Sequence, residues 1–292
     1  MIPIDLTGKV ALVTGVGDNQ SFAWYIAKTL QAAGARLVFA SHPRMVGIVE
    51  NILERDADAE SRILPYDAGS LKVEKVIACD VRFDTFDDID AETRADRRFN
   101  KHGDFSIKGM LDQVAPNYDG IDILIHSVAF SREIKNKMID TTRKAYLEAL
   151  TISSYSLTSL ARGVAPLMEK RGGGSIVGLS YLGGVRVVPY YGGGMSTAKA
   201  ALEIDAKQIS HNLGSKNIRV NLISAGPYKS RAASAITDMD VSIDYAAQRS
   251  PLPRGITPEE VGSATAFLCS PLASGITGHV LYVDCGYNIM GV

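Results

Sequence analysis

Seven short apolar runs recur along the chain: Val10–Thr14, Leu37–Ala40, Val73–Cys79, Ile121–Ile125, Ser175–Leu179, Ile218–Ile223 and Val280–Val283. Nearly all are apolar on both alternate faces, so each strand must be covered on both sides, the condition of a parallel sheet between layers of helices. Helical patterns do separate the runs. From Phe22 onward, Ile26, Ala27, Leu30 and Ala33 fall at helical spacing, and Gly34 stands where a C-terminal cap belongs. A longer pattern covers Ala145–Met168. Ala200–Leu213 carries Leu202, Ala206, Ile209 and Leu213 on one stripe and closes at Gly214. Thr257-Pro258-Glu259-Glu260 opens another helix, with Thr257 as N-cap, Pro258 at the first helical position and Glu260 completing a capping box. This alternation predicts an α/β chain with a Rossmann-like, doubly wound parallel sheet flanked by helices.

A length of 292 residues suits two domains or one large one, and an alternation that runs the length of the chain favours a single dinucleotide-binding domain over 1–292. Three stretches depart from it. Residues 44–72 and 84–108 read as surface insertions, the second with a charge run (Asp87, Asp88, Asp90, Glu92, Arg94, Asp96, Arg97, Arg98) expected to be a solvated face. Residues 227–256 lie between the sixth strand and the last helix, on the carboxyl side of the sheet where such folds bind ligands. They are expected to form a lid from two amphipathic pieces, Ala232–Ile236 and Val241–Ala247, either side of Thr237-Asp238-Met239-Asp240.

With 31 basic and 32 acidic residues, net charge −1, the chain has no electrostatic footprint for nucleic acid or an anionic membrane. No apolar run approaches the roughly 18 residues needed to span a bilayer. Cys79, Cys269 and Cys285 form neither a disulfide framework nor a CxxC zinc site, so no metal is expected and a reducing compartment fits. The segment Met1–Lys9 lacks a secretory pattern. A cytoplasmic location is expected, or the plastid stroma if a transit peptide has been removed.

The candidate ligand residues gather at strand ends. Gly15-Val16-Gly17-Asp18-Asn19-Gln20-Ser21-Phe22-Ala23 follows the first strand, and small residues there let backbone amides and a helix N-terminus approach a pyrophosphate. It is not a strict GxGxxG, and an ordinary tight turn would explain it equally. After the second strand, where an acid would hold a ribose, stands Ser41-His42-Pro43-Arg44. Arg44 either meets a 2′-phosphate or is a surface arginine. Asp80 and Val81 end the third strand, where the carboxylate could accept from an adenine amino group or simply cap a turn. His126-Ser127-Val128-Ala129 ends the fourth, with His126 read as structural and the small residues as close neighbours of a nicotinamide ribose.

Leu179-Ser180-Tyr181-Leu182 and Tyr190-Tyr191-Gly192-Gly193-Gly194-Met195-Ser196-Thr197-Ala198-Lys199 carry the strongest signal. Eight residues apart on an ideal helix, Tyr191 and Lys199 would miss sharing a face by about 80°. The three glycines imply an irregular entry into the helix that lets phenol and ammonium converge on one ligand. Such a phenol can donate to a carbonyl becoming an enolate, and an ammonium beside it strengthens the donor. Taken singly, each tyrosine could equally be a half-buried aromatic.

The order of these motifs, from about Asp5 to Gly286, resembles the short-chain dehydrogenase/reductase superfamily. In detail the chain is similar to its enoyl-acyl-carrier-protein reductases of the plant, chlamydial and apicomplexan branch. Gly15 to Ser21 and Ala23, His126-Ser127, Leu179-Ser180-Tyr181-Leu182, Ser224-Ala225-Gly226-Pro227, Trp24, the Tyr-Gly-Gly-Gly-Met run and Val283-Asp284-Cys285-Gly286 carry the match, and the Tyr181, Tyr191, Lys199 spacing is its most specific part. The resemblance implies NADH-dependent reduction of trans-2-enoyl thioesters on acyl carrier protein, in fatty acid elongation, by a homotetramer. Tyr191, Lys199 and Tyr181 are then the catalytic set. Gly15, Gly17, Ser21, Phe22, Ala23, His42, Asp80, Val81, Ser127, Val128, Ala129, Ser180, Lys199, Ala225, Gly226 and Pro227 hold the cofactor, with NADPH use through Arg44 as the variant. Lys229 and Arg231 are the nearest basic candidates for a carrier-protein contact. The competing readings are a carbonyl or alcohol oxidoreductase of the same fold, which normally spaces tyrosine and lysine four apart, and a non-catalytic dinucleotide sensor.

Overall fold

The computed structural model describes residues 4–189, 191–230 and 239–291. Its strands are β1 (Val10–Thr14), β2 (Arg36–Ser41), β3 (Lys75–Ala78), β4 (Ile123–His126), β5 (Gly174–Tyr181), β6 (Ile218–Ala225) and β7 (Val280–Val283). Its helices are α1 (Phe22–Ala32), α2 (Val46–Glu54), α3 (Ala91–Ala95), α4 (Arg97–Asn100), α5 (Ile107–Val114), α6 (Arg143–Leu150), α7 (Ser156–Glu169), α8 (Met195–Leu213), α9 (Met239–Arg249) and α10 (Pro258–Cys269). The strands make one sheet in the order β3-β2-β1-β4-β5-β6-β7, every neighbouring pair parallel. The chain forms a single α/β domain of the predicted Rossmann-like kind.

Both faces of the sheet are buried, as the apolar runs require. One face packs Ala11, Val13, Leu37, Phe39, Ile123 and Ile125 with α1 and α10, and the other packs Val10, Leu12, Val38 and Leu124 with α5, α7 and α8. Trp24 is fully buried on α1, its ring centroid 6.1 Å from that of Phe39, and its indole N–H donates to the Ser61 carbonyl at 3.0 Å. That bond ties the 44–72 stretch to the first crossover. The capping box at α10 forms as expected, with Thr257 and Glu260 exchanging side-chain and backbone hydrogen bonds.

The order of strand addition reverses between β1 and β4, which run parallel and whose ends pair Thr14 with His126. The chain leaves these two strands in opposite directions and opens a crevice there, the usual ligand position in open α/β sheets.

The expectations for both insertions change. Residues 44–72 are not all insertion: α2 is the crossover helix between β2 and β3, short because only Val46, Val49 and Ile52 reach the core. Residues 84–108 are not a solvated face throughout, since Ile89, Phe99 and Phe105 are buried with Phe83 in a small separate core. α8 ends at Leu213 with Gly214 as its C-cap, where the sequence put it. Gly214 keeps a right-handed conformation and opens a further turn, and Asn217, at φ +57°, takes the left-handed position. The Ala145–Met168 pattern spans two helices, α6 and α7, joined through a wide π turn at Thr151–Tyr155. Of the two lid pieces, Val241–Ala247 lies within α9, while Ala232–Ile236 falls outside the described residues.

Candidate active site

Gly15 adopts φ +79°, and a Cβ there would stand 2.0 Å from the Ser127 carbonyl oxygen. Only glycine lets the end of β1 pass so close to the end of β4. Ser21 then N-caps α1, accepting from the Trp24 amide, and the first turn of α1 carries no acidic side chain. Ser21 and Phe22 bring the positive end of that helix to the crevice. Two cavities, of about 490 and about 520 Å³, share Gly15, Val128, Ala129 and Phe130 and together run along the carboxyl edge of the sheet.

The second cavity is lined by His42, Arg44, Asp80, Val81, Arg82 and Phe99 among others. Asp80 is buried at its strand end, and Arg82 forks onto it, with Nη2 at 2.6 Å from Oδ2, while His42 Nε2 stands 3.4 Å away. Burial works against the charge, but the hydrogen bonds from His42 and Arg82 prevail and hold the carboxyl at about 2. Asp80 is therefore ionised and already committed to an arginine. His42 meets the ring of Phe99 edge-on at 5.3 Å.

The first cavity contains Tyr181, Tyr191, Lys199 and Ser180. The Tyr181 and Tyr191 rings meet with centroids 4.9 Å apart and planes at 64°. Tyr181 ends β5, whereas Tyr191 sits in the loop ahead of α8, and the glycines explain how it gets there. A Cβ on Gly192 would fall 1.8 Å from the Asn136 carbonyl oxygen, and Gly193 and Gly194 take φ +58° and +83°. Ser131 Oγ donates to the Gly193 carbonyl at 2.7 Å, and Ser196 Oγ to that of Tyr191 at 3.1 Å. Gly183 leaves room for the ring itself, because a Cβ there would come within 2.6 Å of Tyr191 Cδ1. Burial pushes the Tyr181 phenol up to about 12 and raises that of Tyr191 further, so both are donors at neutral pH.

Lys199 is 4% exposed and its Nζ donates to the Leu179 carbonyl at 2.7 Å. Burial lowers its ammonium to about 8, against the opposing attraction of Glu203. Glu203, one turn further along α8, accepts from Ser180 Oγ at 2.6 Å. His126 lies fully buried behind the site, its Nε2 at 2.7 Å from Ser156 Oγ, and burial together with the Lys199 charge lowers it to about 3. It is a neutral imidazole.

A family model described as enoyl-(acyl carrier protein) reductase matches residues 98–288. The chloroplastic enoyl-[acyl-carrier-protein] reductase [NADH] of Arabidopsis thaliana is 42% identical over 292 residues, covering 100% of this chain and 74% of the relative. This chain belongs to the enoyl-acyl-carrier-protein reductase family. The crystal structure of the Plasmodium berghei enoyl-acyl-carrier-protein reductase with triclosan superposes with a TM-score of 0.92 at 39% identity, covering 97% of this chain and 99% of that one. The Anaplasma phagocytophilum reductase in complex with NAD gives 0.80 at 35% identity, covering 100% and 98%.

The reductase presents most of its sequence-nominated residues to the crevice. Gly15, Ser21, Phe22, Ser127, Val128, Ala129, Ser180, Ala225, Gly226 and Pro227 line the first cavity, and His42, Asp80 and Val81 the second. Gly17 and Ala23 line neither; a Cβ on Gly17 would meet only Met45 Cε, at 3.6 Å, and Ala23 faces the core. A dinucleotide fits this set: a glycine cradle closed by the Ser127 carbonyl, a helix N-terminus beside it, and a cavity on either side. Phe99, Arg82, Tyr228 and Glu203 were not singled out by the motifs. Phe99 is a lone aromatic inside a charge run, and Glu203 carried a readable signal, an acid four residues beyond Lys199 on one helix face.

Proposed function

We propose that this chain catalyses NADH-dependent reduction of trans-2-enoyl thioesters presented on acyl carrier protein, the reductive step of fatty acid elongation. The observation that carries this reading is the pairing of the Tyr181 and Tyr191 rings at 4.9 Å in the same cavity as a buried Lys199. Bound NADH supplies a hydride for the β-carbon of the enoyl group. As the hydride arrives, negative charge develops on the thioester oxygen, and Tyr191 donates a hydrogen bond there. The α-carbon of the resulting enolate then takes a proton, completing the saturated thioester. Lys199 holds the nicotinamide ribose and, as an ammonium, strengthens Tyr191 as a donor. Tyr181 packs against Tyr191 and flanks the acyl chain. Ser21 and the first amides of α1 receive the pyrophosphate, and the small residues Ser127, Val128, Ala129 and Ala225 to Pro227 let the backbone close around the cofactor.

The test is the loss of NADH absorbance with a crotonyl thioester and, separately, with a ketoacyl thioester. Turnover of the first and not the second is expected. Turnover of the ketoacyl substrate instead would make the chain a carbonyl reductase, and binding of NADH without either turnover would make it a sensor.

Residues 227–256 serve as the cover of the acyl site. Pro227, Tyr228, Ser230 and Ser242 all line the first cavity, and Tyr228 packs on Phe22 at 5.2 Å. Val241 on α9 is exposed and available to an acyl chain or a closing contact, while the exposed Tyr245 ring already meets Tyr287 and Arg249. Closure excludes water from the enolate. Amides of α9 should gain hydrogen-exchange protection when cofactor and an acyl analogue are added together; full protection in the ligand-free protein would contradict the cover.

Acyl carrier protein is the macromolecular partner, in a homotetrameric enzyme. Lys229 reaches Asp240 at 2.9 Å and meets the carrier only after exchanging that partner, while Arg231 lies outside the described residues. Among the described residues no helix is long and apolar enough to cross a membrane. The location proposed is the cytoplasm or, by likeness to the chloroplastic relative, a plastid stroma.

A further inference from the structure

In a Rossmann-like site an acid at the end of the second strand reads the 2′-hydroxyl of the adenosine ribose, and an arginine there accommodates a 2′-phosphate. The end of β2 carries no acid. It runs Ser41-His42-Pro43-Arg44, and Arg44 lines the second cavity, so the strand end by itself would suit the phosphate-bearing cofactor.

The three arginines of this cavity are each held by a carboxylate. Arg82 is clamped to buried Asp80 at 2.6 Å, and Arg132 forks onto Glu148. Arg44 is held more loosely: its Nη2 is 3.6 Å from Asp96 Oδ2, and its guanidinium lies over the Phe99 ring at 5.1 Å. Asp96 and Phe99 both come from the 84–108 stretch, which therefore reaches back over the end of β2. Asp96 is itself fixed. It N-caps α4, accepting from the Arg98 amide at 2.9 Å, and receives Arg98 Nη2 at 2.7 Å. Those hydrogen bonds keep its carboxyl at about 2, so it is anionic at any assay pH. Phe99, 2% exposed, gives the guanidinium a rigid face to lie on.

We propose that Asp96 is the specificity-determining residue for NADH over NADPH, supplying from the 84–108 stretch the acid that β2 lacks. It acts in two ways. It occupies the Arg44 guanidinium, and it places a fixed negative charge beside the arginine that a 2′-phosphate would need. NADH loses nothing by this, because a 2′-hydroxyl requires no cation. NADPH must displace Arg44 from Asp96 and then tolerate the carboxylate left next to it.

The inference rests on assigning the second cavity to adenosine, and the experiment separates the two. Calorimetric titrations with AMP and with adenosine 2′,5′-bisphosphate would compare the unmodified protein, Asp96→Asn, and Asp96→Asn combined with Arg44→Ala. Asparagine preserves the helix cap while removing the charge. The ratio of bisphosphate to AMP affinity should rise about fivefold in Asp96→Asn, the scale of one partly exposed charge pair, and fall back in the double variant. The gain should shrink in high salt. Asp96→Ser, which also caps, should reproduce it. An unchanged ratio in both Asp96 variants, or a gain that survives Arg44→Ala, would overturn the role of Asp96. Failure of AMP to bind the unmodified protein would overturn the adenosine assignment and this inference with it, leaving the Tyr191 and Lys199 end to be judged by its own assays. The ratio of kcat/KM for NADPH to that for NADH should move in the same direction as the fragment affinities.

Discussion

Tyr191→Phe is expected to fold normally and to lose about 10² to 10³ in enoyl reduction rate, the usual cost of deleting one donor aimed at developing negative charge. The ring survives the change, so its packing at 4.9 Å against Tyr181 and its fit over Gly183 remain. What disappears is a phenol that burial keeps protonated well above neutral pH. The loss should fall on kcat, with the NADH dissociation constant little altered. Circular dichroism would establish folding, and turnover within a few-fold of the unmodified protein would remove Tyr191 from the reaction.

Lys199→Ala should weaken NADH binding by about 10- to 100-fold, the scale for removing a buried charged hydrogen-bonding group, and lower turnover as well. In the proposed mechanism one ammonium serves both the ribose and the tyrosine. Its pKa of about 8 adds a pH signature. In the unmodified protein NADH affinity should be level below that value and decline as pH rises through it, because the ammonium loses its proton while Tyr181 and Tyr191 keep theirs. Stability should show the opposite slope from this group. Between about 8 in the folded chain and 10.5 in the unfolded one, the unfolded state binds more protons, so the Lys199 contribution to stability rises with pH. Both features should vanish in Lys199→Ala, and a cofactor dissociation constant unchanged by the substitution would contradict its role at the ribose.

The sheet was legible because parallel strands advertise their double burial. Val10–Thr14 and Val280–Val283 coincide with β1 and β7, and the other five runs fall within or overlap their strands. The meeting of Tyr181, Tyr191 and Lys199 in one cavity was legible from their spacing, and the glycine run ahead of Lys199 signalled an irregular helix entry, since α8 begins only at Met195. Periodicity was blind to the Phe99 side of the second cavity. Phe99 stands between Asp96-Arg97-Arg98 and Asn100-Lys101, and a single aromatic in such a polar run has no repeat to reveal that it is buried. The π turn at Thr151–Tyr155 was invisible for a related reason: adding one residue to a turn leaves apolar spacing nearly intact on both sides. Gly214 marked the end of α8, but it caps in a right-handed conformation, and one more turn defers the left-handed residue to Asn217.

The most direct measurement repeats the crotonyl thioester assay with NADH carrying deuterium at the transferred position of its nicotinamide, and locates the label in the product by NMR. A site built to stabilise an enolate at Tyr191 places deuterium on the β-carbon and a solvent proton on the α-carbon, with the thioester intact. Deuterium on the former carbonyl carbon, or NADH consumption with no label in the acyl chain, would contradict the account.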